Sequence, residues 1–281
     1  MLKASSYFRD VPFDPALYEK MLQEKPAELR YVIYFTPRSG SSWLTDILSQ
    51  TRRLSEANEA FNPNFIPTIA RTCNASNLDQ YINVLVRRHN HRGVYGFEIT
   101  MHQLDAVFPD HELFLKHFGG GPCFWLIRRD IVSQAISLAK MVSTNVAHTA
   151  HANEEERRAS DEKFEYDSAL IRRWLVHILN AERKNERFFQ CNGLEPLRIC
   201  YEQTTLLSAR QMVDVVSRHL GVPDVPEMEF KSSHTKLGTS RNAEFAARFI
   251  DDEASFLAEV DAERAPWLAR LTDISEPYSD S

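Results

Sequence analysis

Residues 31–43 read Tyr-Val-Ile-Tyr-Phe-Thr-Pro-Arg-Ser-Gly-Ser-Ser-Trp. The apolar and aromatic run over 31–35 predicts a buried strand. Pro37 and Gly40 punctuate a tight turn, and from 42 to 50 Trp43, Leu44, Ile47 and Leu48 return at helical spacing. The turn between strand and helix carries Arg38, Gly40 and the hydroxyls of Ser39, Ser41 and Ser42. These residues make an anion cradle. Backbone N–H groups at a helix N-terminus point at the anion, and hydroxyls and a guanidinium complete the shell. Gly40 lets the backbone approach closely, and Arg38 bonds two oxygens at once.

The turn is not a Walker A loop. That motif needs an earlier Gly and a Lys directly after the last one. Here position 35 is Phe, and Ser41 follows Gly40.

Working outward, three more strands are predicted over 93–99, 122–127 and 197–201. Helices are predicted over 15–23, 80–90, 104–118 with a break at Pro109, 131–142, 206–220 and 243–260. The charged segment 152–163 is expected to open a long helix that runs to about residue 189. Residues 54–64 read as a loop. Strands alternating with helices imply an α/β fold with a mainly parallel central sheet flanked by helices, a three-layer, P-loop-like architecture. Ligands on such sheets bind at the carboxyl ends of the strands. With 281 residues, the chain suits an N-terminal extension over 1–29 and a single domain over 30–281.

The net charge of −6 argues against a nucleic-acid binder, which carries a basic stripe. No apolar run approaches the ~18–20 residues of a membrane span, and the first ten residues show no apolar leader segment. A cytoplasmic location is the expectation. The four Cys form no C-x-x-C pair. His and carboxylates show no metal-ligand spacing such as H-E-x-x-H, so no metal is expected.

A second anion site is legible after the third strand. Arg128 and Arg129 stand at the strand end, and Ser133 and Ser137 are four apart, so they share a face of the next helix.

Thr36 to Ser42 resembles the 5′-phosphosulfate loop, [TS]-x-[KR]-S-G-[ST]-[ST], of sulfotransferases that use 3′-phosphoadenosine 5′-phosphosulfate (PAPS). Arg128, Asp130, Gln134, Ala135 and Ser137 match R-x-D-x-x-x-Q-A-x-S, the second motif of the Stf0 family of bacterial sulfotransferases. That family includes trehalose and lipopolysaccharide sulfotransferases. Glu56, Glu59 and Phe61 match its E-x-x-E-x-F segment, and Gly93 and Gly96 its Gly-aromatic-Gly strand. The resemblance covers roughly residues 31–250.

It implies sulfuryl transfer from PAPS to a hydroxyl of a carbohydrate or glycolipid. The 5′ loop, with Arg38 near the leaving phosphate, and Arg128 or Arg129 with Ser133 and Ser137 at the 3′-phosphate would bind the donor. Glu59 corresponds to the family's base, and His102 is the rival. Glu56 and Glu98 are candidates for the acceptor, Glu98 standing where the trehalose enzyme has Lys. Phe61, Phe65 and Tyr95 are candidate walls. Tyr201 resembles a Tyr near the adenine, and Arg241 is a candidate for closing over the nucleotide. Some family members are dimers, so a homodimer is one expectation. A P-loop kinase-like phosphotransferase on the same sheet architecture is one alternative, and a non-catalytic nucleotide-binding or regulatory protein is a second, from another class.

Overall fold

The computed structural model describes residues 4–144, 163–232 and 239–274. Four strands form the sheet: β1 (Leu29–Phe35), β2 (Val94–Ile99), β3 (Cys123–Ile127) and β4 (Leu197–Cys200). Their spatial order is β2-β1-β3-β4 and every pairing is parallel. All four carboxyl ends therefore lie along one edge. The chain steps from β1 to β2 on one side and returns to β3 on the other. A crevice opens at such a switch point, outside the ends of β1 and β3.

Among the described residues the helices are α1 (Pro15–Leu22), α2 (Ser41–Gln50), α3 (Ile66–Thr72), α4 (Leu78–Arg88), α5 (Met101–Val107), α6 (Glu112–Phe118), α7 (Ile131–Thr144), α8 (Ser168–Asn192), α9 (Tyr201–Thr204), α10 (Ala209–Leu220), α11 (Ser240–Asp252) and α12 (Ala254–Leu268). Strand residues alternate between two apolar layers, as the two-residue period requires. Val32, Tyr34, Phe97, Ile99 and Trp125 pack with α3–α6 and with Phe188 and Phe189 at the end of α8. Tyr31, Ile33, Phe124, Leu126 and Ile199 pack with α2 and α10. A third cluster joins α7, α8, α11 and α12. The expected three-layer α/β fold is present.

Several helix boundaries differ from expectation. The helix expected over 104–118 is two. α5 starts earlier, because Thr100 and Gln103 form a capping box, and His111 in a left-handed conformation starts α6 afresh. The single helix expected over 243–260 also divides, at Glu253. The long helix begins at Ser168, where the Asp167 side chain accepts the Leu170 N–H at 2.9 Å. Phe164 to Asp167 are not helical, and the expected helical start at 152–162 lies outside the described residues. α3 went unpredicted, although Pro67 in its first turn is a start signal.

The residues before β1 join the main core. Phe8, Met21 and Ala27 are buried with α3 and α4, and the Phe8 ring meets Tyr81 edge-on at 5.7 Å.

Gly96 is required by a neighbour. A Cβ there would lie 2.1 Å from the Tyr31 ring. The Tyr31 hydroxyl donates to the Leu54 carbonyl at 2.5 Å, and the Ser55 hydroxyl donates to the Gly96 carbonyl at 3.3 Å. The close packing of Gly96 on Tyr31 thus seats the loop that carries Glu56 and Glu59. Gly96→Ala is expected to cost about 1–3 kcal/mol by overpacking. A urea or guanidinium midpoint measured against wild type checks this; an unchanged midpoint would mean that Tyr31 is free to move.

Candidate functional site

The cradle after β1 is built from two uncommon backbone conformations. Arg38 has φ +69° and Gly40 φ +91°. Gly40 is the N-cap of α2 and has no side chain to offer, so no side-chain hydrogen bond caps this helix. Its first N–H groups, and the positive end of its dipole, are thereby left to a ligand. The next helix of the crevice differs: Asp130 accepts the Ser133 N–H at 2.8 Å and caps α7 itself. The Ser39 hydroxyl is buried without a hydrogen-bond partner. Ser41 is buried and Ser42 half-buried.

The fully buried Gln134 of α7 fixes the loop. Its Nε2 donates to Thr36 Oγ1 at 2.9 Å and to the Pro37 carbonyl at 2.8 Å. Arg38 Nε donates to Ser137 Oγ at 2.9 Å. The two sequence motifs, about 90 residues apart, are therefore one physical site. Arg128 completes the bridge. Its guanidinium reaches the Arg38 carbonyl at 3.5 Å and stacks 4.6 Å above the Tyr201 ring centroid. Burial first, then the neighbouring Arg128 charge, pull Arg38 below the ordinary guanidinium value. Both effects oppose a cation held without an anion, and a bound phosphate relieves them.

Tyr201 also closes over the cradle: a Cβ on Gly40 would lie 2.8 Å from its ring. Glu202 binds the turn after β3, accepting the Arg129 N–H at 2.9 Å and the Asp130 N–H at 3.1 Å. Burial opposes its charge, but these bonds and one from Cys200 hold its carboxyl below the usual range. Arg129 is exposed, unlike Arg128. Arg241 stands in the first turn of α11, 5.4 Å from the Phe245 ring of its own helix.

At the end of β2 lies a cluster of carboxyl groups. Glu59 is half-buried and accepts hydrogen bonds from Asn62 at 2.8 Å and from Gln103. Glu98 is 5% exposed. Burial pushes its carboxyl well above the ordinary range, and the Glu59 charge adds to the shift; a hydrogen bond from Ser41 opposes it. Glu56 is exposed on the same loop. It lines a small cavity of about 140 Å³ with Asn58, Thr68, Thr72, His89 and Tyr95. His102 is exposed in the first turn of α5, near enough to His177 for their charges to interact.

Phe61 needs correction as an acceptor wall. It has no exposed surface and packs edge-on against Tyr81, Phe97 and Phe118. The apolar driving force has put it in the core. Tyr95 is buried likewise at 2% exposure, whereas Phe65 is 49% exposed.

Sequence reasoning missed Arg264 and Glu182. Both are 0% exposed and form a buried ion pair between α12 and α8 at 2.7 and 3.0 Å. The same guanidinium donates to the Arg129 carbonyl at 2.9 Å and to the Arg128 carbonyl at 2.5 Å. A helix far along the chain thus holds the turn that aims Arg128. Charged residues within helices give no sequence signal of such burial, since most face solvent.

A four-stranded parallel sheet with this anion crevice, bounded by α2 and α7, is consistent with an α/β group-transfer enzyme of sulfotransferase type. The Stf0 sulphotransferase family model matches residues 30–252, and the chain belongs to that family. A search of curated proteins found no match.

Arg264→Ala leaves the Glu182 charge buried and uncompensated, an expected loss of about 3–5 kcal/mol. Pairing it with Glu182→Leu should restore much of the stability, because no bare charge remains. The carbonyls of Arg128 and Arg129 still lack their donor in the double variant, so anion binding should stay weakened. Thermal melts and titration with adenosine 3′,5′-bisphosphate (PAP) on the two variants separate these effects.

Proposed function

We propose that this sulfotransferase takes its sulfuryl group from PAPS and passes it to a hydroxyl of a carbohydrate or glycolipid. The observation that supports PAPS most is the convergence of two arginines, Arg38 and Arg128, on one crevice beside the uncapped N-terminus of α2. The site offers anion contacts at two ends, which suits a nucleotide phosphorylated at both 3′ and 5′ positions.

In this reading Ser39, Gly40, Ser41 and Ser42 cradle the 5′-phosphosulfate. Arg128, with Ser133 and Ser137, takes the 3′-phosphate, and Tyr201 lies against the nucleotide. The exposed Arg129 serves through its backbone, which anchors the turn to Glu202. The acceptor oxygen attacks sulfur in line, and the bond from sulfur to the 5′-phosphate oxygen breaks. Arg38 and the α2 N–H groups stabilise the charge that grows on the departing phosphate. Arg38 works by its charge, since a guanidinium is not a proton donor at neutral pH. Glu59 takes the acceptor proton. Its hydrogen bonds to Asn62 and Gln103 orient the carboxyl, as a base needs. Glu56, exposed on the same loop, is suited to acceptor hydroxyls. His102 is the less favoured base, because its interaction is with His177 of α8.

The test is transfer of label from sulfur-labelled PAPS to glycan and glycolipid extracts, followed by identification of the labelled product. Equal use of ATP would overturn the donor assignment.

Two substitutions resolve the roles. Arg128→Ala should weaken PAP by roughly 1.5–3 kcal/mol, the worth of a charge-assisted hydrogen bond. Adenosine 5′-phosphosulfate, which has no 3′-phosphate, should bind nearly as before; equal losses, read by calorimetry, would sink the assignment.

Glu59→Gln keeps size and removes the proton acceptor. Turnover should fall by about 10²–10⁴-fold while PAP affinity holds. Near-normal turnover would pass the base role to His102, checked by the same substitution logic.

A further inference from the structure

Glu98 occupies an unusual place for an acidic residue. It is the fifth of the six residues of β2, and only 5% of it is exposed. The strand period sends Val94, Gly96 and Glu98 to the same side of the sheet, the side on which Val94 packs with α2. The other residues of the strand are aliphatic, aromatic or Gly, and none of them is ionised at neutral pH. The groups around Glu98 can be named element by element. On β1 its register partner is Ile33. From α2, Ser41 of the cradle hydrogen-bonds to it. From the loop after α2, Glu59 presents a like charge, itself bonded to Gln103 of α5. The Glu98 N–H donates to the Asn58 carbonyl at 3.1 Å, which brings strand end and loop together. One carboxyl oxygen, Oε2, is buried with no hydrogen-bond partner.

A carboxylate so placed faces a carboxylate on one side and, in the reading above, an anionic donor on the other. Burial without a cation and repulsion by Glu59 both favour the neutral acid. A neutral carboxyl has an O–H to donate, and Oε2 has no hydrogen-bond partner in the protein.

We infer that Glu98 stands between the phosphosulfate cradle and Glu59 as a neutral carboxylic acid, donating its O–H to the sulfuryl group and so selecting the sulfated donor over its desulfated product. The inference rests on the PAPS reading of the same site. Glu98 makes no covalent bond to the donor and transfers no proton. The acceptor proton still goes to Glu59, and the Glu98 proton stays on its carboxyl throughout. The two glutamates divide the work by protonation state: one must be charged to accept, the other neutral to donate.

Two measurements test this. The first needs no ligand. A carboxyl held above its ordinary range when folded stabilises the fold fully at pH values below its unfolded value. That contribution is lost as pH rises through the folded value. Thermal stability should therefore decline with rising pH in wild type more steeply than in Glu98→Gln, which cannot ionise. The second is equilibrium binding of PAPS and PAP to wild type, Glu98→Gln and Glu98→Ala. Glu98→Ala should lose about tenfold or more in PAPS affinity and little in PAP affinity. Glu98→Gln, with an N–H donor in place of the O–H, should keep most of the preference for PAPS and hold it at alkaline pH, where wild type loses it.

Parallel stability profiles for wild type and Glu98→Gln would overturn the neutral acid. Equal effects of Glu98→Ala on PAPS and PAP would overturn the sulfuryl contact. Failure of wild type to bind either nucleotide would overturn the PAPS reading and the sulfuryl contact with it, whatever the stability profile shows.

Discussion

Parallel pairing of all four strands is the constraint on which the rest depends. A parallel sheet must be covered on both faces, so each crossover carries a helix and each strand ends at the same edge. The chain lays β2 on one side of β1 and β3 on the other. The connections diverge there. Near those strand ends stand the uncapped start of α2, Arg38, Arg128, Tyr201, Glu59 and Glu98. None is held there by its own strand alone. Gln134 ties the β1 loop to α7, Glu202 ties the β3 turn to α9, and Arg264 ties that turn to α8 and α12.

The site is organised by the cost of like charge. Arg38 and Arg128 converge and are relieved by an anion. Glu59 and Glu98 converge at the end of the neighbouring strand, where an anion would make matters worse. The two pairs are separated by the cradle hydroxyls, with Ser41 in contact with Glu98. The cationic side suits a leaving phosphate, and the acidic side suits a hydroxyl that must lose its proton.

The buried Arg264–Glu182 pair exemplifies a different economy. Removing two charges from water is expensive, and well-packed apolar residues often serve stability as well. The pair makes structural sense through the two carbonyls that the same guanidinium binds. A Leu at 264 would fill space but leave those carbonyls without a donor.

Local signals in the chain were enough for the cradle. A buried strand, a turn with Gly40 and an amphipathic helix follow from periodicity and from the special backbone freedom of glycine, and both are properties of a few consecutive residues. The hydroxyl and Arg content of the turn pointed to an anion as the expected ligand, and the Arg128–Ser137 segment repeated that signal. The four strands were legible for the same reason. Tertiary structure alone decided which of the adjacent arginines enters the crevice, because one residue of register turns a side chain from one side of the strand end to the other. It alone moved Phe61 from the acceptor wall into the core, an outcome set by long-range packing with Tyr81, Phe97 and Phe118. It alone brought Glu98 beside Glu59 and Arg264 beneath the Arg128 turn. Proximity across 39 or 136 residues is a consequence of how layers stack on the sheet, and no local pattern in the chain encodes it.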